Sequence, residues 1–143
     1  MNQTIPMKMK PAQASAMLSS LQSLSDKALP VKLCYAISRN ADLLQRRLEE
    51  LDQERVKLCE RYAAKDPDGN PVLHKNDDGN AYYEIADKEA FQGEVEQLND
   101  IDLDVQLYYL YEGVLEQCDN ERYDPLTPAQ LQTIGKFIMR SET

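Results

Sequence analysis

The chain has 143 residues with a formal net charge of -9, 42% hydrophobic and 29% charged residues, eight Tyr, two Phe and no Trp. That length fits one domain spanning residues 1–143 and needs no metal or disulfide to complete its core. The acidic balance excludes a bare nucleic-acid binder, because phosphate affinity requires clustered basic residues. The charge is uneven, however. Residues 1–47 hold seven Lys/Arg against two acids, a balance of +5, and the remainder carries -14. A basic N-terminal third can pair with the acidic body or offer a local anion site.

Ile5, Met7 and Met9 alternate with Lys8 and Lys10, which predicts a short strand over about 5–10. Pro6 places it at a sheet edge or at its own start. Pro11 suits a first helical position, and the run to Ala28 reads as a helix with Met17, Leu18, Leu21 and Leu24 inside. A second helix is predicted from near Pro30 to about Lys65. Its seam, Ile37, Ala41, Leu44, Leu48, Leu51, Arg55, Leu58 and Tyr62, is spaced for a long antiparallel helix pair or a coiled coil, with Arg55 interrupting. Val31 and Cys34 extend the apolar positions toward the start.

Asp68-Gly69 and Asp78-Gly79 are turn signals, and between and after them Val72-Leu73 and 82–85 predict extended arms of a hairpin or structured loop. Asp87 caps a helix with Phe91, Val95 and Leu98 on its inner face. Residues 101–109 alternate Ile101, Leu103, Val105 and Leu107 with Asp102, Asp104 and Gln106. This acidic strand complements the Lys8/Lys10 face, so the two are expected to be neighbours; each opposed charge pair favours that by about 0.2–1 kcal/mol. Thr127 to Gln130, "TPAQ", is a capping box opening a last helix with Leu131, Ile134, Phe137 and Ile138. The expected fold is α+β and mainly α: a long antiparallel helix pair, a small antiparallel sheet of strands 5–10, 82–85 and 101–109, and a C-terminal helix.

The order of "LPVKLCYAISRN" (29–40), "KDPDGNP" (65–71), "DKEAFQGEVEQL" (87–98) and "TPAQL" (127–131) resembles a family of small uncharacterised proteins of tailed bacteriophages and prophages. The likeness runs from Met7 to Met139. Members usually carry Lys where this chain has Arg39. The resemblance brings no catalytic residues with it. It implies a phage gene product made in the cytoplasm of a bacterial host, and either dispensable for virion architecture or accessory to it.

Chemistry-bearing residues are sparse. Cys34, Cys59 and Cys118 are widely spaced and odd in number, which reads as free thiols in a reducing compartment. His74 is the only histidine and lies in the turn-rich stretch. An EF-hand counted from Asp66 would need Gly at the sixth place and Glu at the twelfth, where Pro71 and Asp77 stand. No run reaches the ~18 apolar residues of a membrane span, and "MNQTIPMKMK" lacks the apolar core expected of a signal peptide. No enzyme, metal, cofactor or membrane partner is expected.

One constellation remains. Lys32, Tyr35 and Arg39 stand at helical spacings of three and four, beside Asn40. Two cations and a phenol on one face suit a phosphate or carboxylate. The same cations can instead pair with Asp102, Asp104 or Asp42, with Tyr35 packed on the first helix, and the charge imbalance favours that internal pairing. Two functions follow. One is a non-catalytic binding protein that antagonises a host defence factor, by protein contact or by sequestering a small anionic or nucleotide signal. The other is a structural or tail-assembly accessory. Self-association as a dimer or larger homo-oligomer is expected in either.

Overall fold

The computed structural model describes residues 3–140. It is α+β and mainly α. The elements are β1 (Thr4–Met9), α1 (Pro11–Gln22), α2 (Val31–Tyr62), β2 (Leu73–Lys75), β3 (Ala81–Tyr83), α3 (Lys88–Asn99), β4 (Leu103–Tyr108), β5 (Leu110–Tyr111), α4 (Gly113–Gln117), α5 (Pro128–Gly135) and β6 (Ile138–Met139). Contacts divide the chain into two compact units, Met1–Leu48 with Asp102–Thr143, and Glu49–Ile101. Among the described residues no helix is long and apolar enough to cross a membrane.

In the first unit β1 and β4 pair antiparallel, with Lys8 opposite Asp104 and Met7 opposite Val105. The charge complementarity of the two strands is therefore realised, and Lys10 Nζ closes on Asp102 at 2.9 Å just beyond the ladder. The alternation sends Met9, Val105 and Leu107 into a core with Ala14, Met17, Leu21, Leu33, Ile37, Leu44, Ile134 and Phe137. Pro6 faces Gln106 at a position where neither residue exchanges ladder hydrogen bonds. That phase follows from Tyr109 N–H donating to Gln3 O at 3.0 Å, while the Tyr108 backbone turns away from β1. The missing N–H of Pro6 is thus on the outer edge of β1, where it blunts pairing with another strand.

α1 stops at Gln22, short of the expected Ala28. Residues 23–29 turn instead, held by Ala28 N–H to Asp124 Oδ2 at 2.7 Å and Asp124 N–H to Ala28 O at 2.8 Å. The predicted last helix also ends early. α5 closes at Gly135 after its Thr127/Gln130 capping box, and Ile138 belongs to β6, which runs parallel to β5 with Leu110 opposite Ile138. Val31 is 81% exposed and drops out of the expected apolar stripe; Ile37 is buried as expected, Cys34 and Ala41 are half-buried against the core, and Leu33, Ala36, Asn40 and Leu44 complete the buried face at the start of α2.

In the second unit the last turns of α2 lie against α3. Tyr62 and Phe91 meet edge to face at 6.1 Å. Arg55 pairs with Asp52 at 2.6 Å and donates to Asn99 Oδ1 of α3 at 3.3 Å, which accounts for a cation in an otherwise apolar seam. No long antiparallel partner for α2 occurs among the described residues: α1 and α3 have 12 residues each, against 32 in α2. Strand 82–85 is realised as β3, but it pairs with β2 in a separate hairpin and not with β1 or β4. The Asp-Gly steps make two near-identical turns. Asp66 Oδ1 accepts from the N–H of Asp68 and Asn70, and Asn76 Oδ1 from Asp78 and Asn80. Gly69 and Gly79 sit at φ +85° and +83°, where only glycine is unstrained. Three backbone bonds then close a ring: Ala64 N–H to Glu84 O, Glu84 N–H to Val72 O, and Val72 N–H to Ala64 O, at 2.7, 3.0 and 2.8 Å.

Candidate functional site

The helical spacing that puts Lys32, Tyr35 and Arg39 on one side of α2 holds, but the structure sorts them into different roles. Lys32 and Tyr35 line a cleft of about 610 Å³ together with Gln3, Tyr108, Leu110, Tyr111, Val114 and Gln117. The end of β4, the start of β5 and helix α4 supply its other wall. Val31 stands on the rim. Tyr35 is 54% exposed and Tyr111 45%, an unusual amount of aromatic surface for one place on a small protein.

Tyr35 does not pack on α1 as one expectation had it. Its ring meets Tyr108 edge to face, centroids 5.3 Å apart and planes at 86°. Arg39 lies behind this pair. Its Cζ is 4.9 Å from the Tyr108 ring centroid, and Nη1 donates to the Tyr35 hydroxyl at 3.2 Å. A guanidinium over an exposed ring is worth about 0.5–1 kcal/mol, so Arg39 fixes both tyrosines. It lines a different cleft, of about 420 Å³, with Thr4, Leu43, Arg46 and Gln106. Tyr109 and Tyr111 form a second edge-to-face pair, at 5.6 Å and 88°.

Asn40 leaves the predicted site altogether. It is 0% exposed. Its Nδ2 donates to Tyr108 O at 3.0 Å and its Oδ1 accepts from Tyr108 N–H at 2.7 Å. A side-chain amide has one donor and one acceptor spaced like those of a peptide, so Asn40 completes the edge of β4 as a strand would. A role in touching ligand is replaced by a role in placing Tyr108.

The internal ion pairing favoured by the charge balance does not form. Asp102 is held by Lys10, Asp104 stands opposite Lys8, and Asp42 is held by Arg46 one helical turn further along α2. β1 brings its own lysines alongside the acidic strand, so the cations of α2 are not needed there. Among the described residues no ion pair engages Lys32 or Arg39. The hydrogen bond and charge of Lys10 hold the Asp102 carboxyl below its ordinary 3.8.

Other candidate groups are occupied or inert. Burial, and secondarily the neighbouring Cys34, push the Cys118 thiol up, away from the reactive thiolate. His74 sits on the hairpin, 3.7 Å from Glu84 and stacked obliquely on Tyr82. The Asp66 carboxylate oxygen that a calcium loop would use accepts two backbone N–H groups instead. Among the described residues no three His, Cys, Asp or Glu converge as a metal site.

Sequence reasoning missed Tyr108, Tyr111, Gln3 and Gln117. The run "LYYLY" at 107–111 breaks strand alternation after Tyr108, and that break was the available signal: it puts Tyr108 and Tyr111 into the same wall. No family model, curated protein or solved structure matches the chain.

Proposed function

We propose that the chain is a non-catalytic binding protein whose site is the cleft between the first turns of α2 and the β4–β5–α4 wall, and whose ligand is a small anion. The observation that carries this reading is Lys32, an ammonium with no ion-pair partner among the described residues, beside the exposed ring of Tyr35 in a cleft of ligand size. Clefts of roughly 300–1,000 Å³ hold small molecules in most proteins. The aspartates strengthen the case, since Asp102 is paired with Lys10 and Asp42 with Arg46. The phage resemblance gives the biological setting: a protein made in the bacterial cytoplasm that antagonises a host factor by sequestering an anionic signal, with nucleotide-type molecules in the range of ligands.

Native mass spectrometry of the protein recovered from infected-cell lysate tests this directly. A retained small anion is expected, and Lys32→Ala combined with Arg39→Ala should abolish it while the far-UV helix signal stays unchanged. Recovery of the protein as a stoichiometric component of purified virions, with no ligand retained, would establish the tail-assembly role instead.

A further inference from the structure

Resting on the anion-binding reading of this cleft, we propose that its ligand is a planar aromatic molecule carrying a single negative charge. Three features of the cleft converge on that class. First, the described lining carries one cationic side chain. Lys32 is the only Lys or Arg among the described residues of the lining, and Arg39 and Arg46 line the separate cleft with Thr4 and Gln106. The chain as a whole is at -9, so each further negative charge on a ligand meets a repulsive field, with no second cation on the described lining and Arg39 engaged behind the wall by Tyr35 and Tyr108.

Second, the wall is built for a ring. Tyr35, Tyr108 and Tyr111 all line the cleft, and Tyr35 and Tyr108 are held edge to face. Arg39 fixes Tyr35 through its hydroxyl and Tyr108 through its ring. A ring locked by its neighbours gives up little freedom when another ring stacks on it, which is what makes preorganised aromatic walls effective. Third, the uncharged polar groups on the lining, besides the tyrosine hydroxyls, are the amides of Gln117 and of Gln3, whose Nε2 already donates to Tyr109 O. Amides hydrogen-bond neutral heteroatoms in either direction and add no charge. Leu110 and Val114, both buried, add apolar surface to the lining.

Two kinds of molecule share this chemistry: an aryl carboxylate, and a nucleoside bearing a single phosphodiester charge. Calorimetry at low salt separates them. The probes are indole-3-acetate and adenosine 3′,5′-cyclic monophosphate, with indole and adenosine as the neutral counterparts and adenosine diphosphate as the polyanion. At least one monoanion should bind at least about tenfold more tightly than its neutral counterpart, and at least as tightly as the diphosphate. Whichever monoanion binds identifies the source. Lys32→Met should cost that monoanion about tenfold or more while leaving the neutral probe unchanged, and Tyr35→Leu should weaken both. Both residues are exposed, and far-UV circular dichroism checks that the variants stay folded. Tighter binding of the diphosphate than of either monoanion overturns the single-charge inference and leaves the anion site standing. Equal binding of neutral and anionic probes, or no binding by any probe together with no anion retained from lysate, overturns the anion-binding reading as well.

Discussion

Asn40 shows how much one side chain decides at this site. Removing its amide by Asn40→Ala leaves a donor and an acceptor of Tyr108 without partners in a buried position, at about 1–3 kcal/mol for each orphaned group. Urea unfolding should show that loss, and ligand binding should fall with it because Tyr108 is no longer held in the wall. Arg39→Gln acts differently: the Tyr35 hydroxyl bond and the ring contact go, stability changes by under about 1 kcal/mol, and affinity in the cleft drops while Lys32 remains. Asp102 gives a pH signature. Its folded pKa lies below 3.8 because of Lys10, so the bond stabilises the fold above the unfolded pKa. That contribution is lost as pH falls through the lowered value. Asp102→Asn should lower stability slightly at neutral pH, where the bond is present, and flatten the acid limb of a stability–pH profile below about pH 4, with no difference from the parent at the lowest pH.

At the level of elements, Pro6 and the two turn glycines make opposite demands. Pro6→Thr returns an N–H to the open edge of β1, and sedimentation velocity should show increased self-association relative to the parent. Gly69→Ala meets no atom within 4 Å of the new Cβ, so its cost is the backbone alone, about 1–2 kcal/mol at φ +85°; thermal unfolding measures it. The pairing of β1 with β4 was legible because alternating charge and apolarity specify both a face and a partner. The capping box of α5 and the Asp-Gly turns were legible because each depends on residues adjacent in sequence. β5 and β6 were not, since a two-residue strand carries no periodicity. The short partners of α2 were not either: a seam reports that a helix is covered along its length, not that one element covers it. Asn40 was misread because a polar residue in a helical stripe reads the same whether it faces a ligand or a strand edge.

For the whole molecule, the basic N-terminal third and the acidic remainder do complement each other, but through β1 and its continuation at Lys10 rather than through α2. This is why Lys32 is left over, a conclusion that needed three-dimensional neighbours and that net charge alone argued against. The division into units has a further consequence, in the order of assembly. Glu49–Ile101 is contiguous, whereas the other unit needs both ends of the chain. Long loops close slowly, so in refolding from denaturant the amides of Ala64, Val72 and Glu84 should gain protection before those of Ile5 and Met7, which pulse-labelled hydrogen exchange can resolve. On the ribosome the delay is enforced. β1 emerges before its partner, which follows some 94 positions later, roughly 5–20 s at ordinary synthesis rates. Through that interval a strand of Ile5, Met7 and Met9 waits without a mate, with Pro6 and two lysines as its only protection against pairing with the wrong chain.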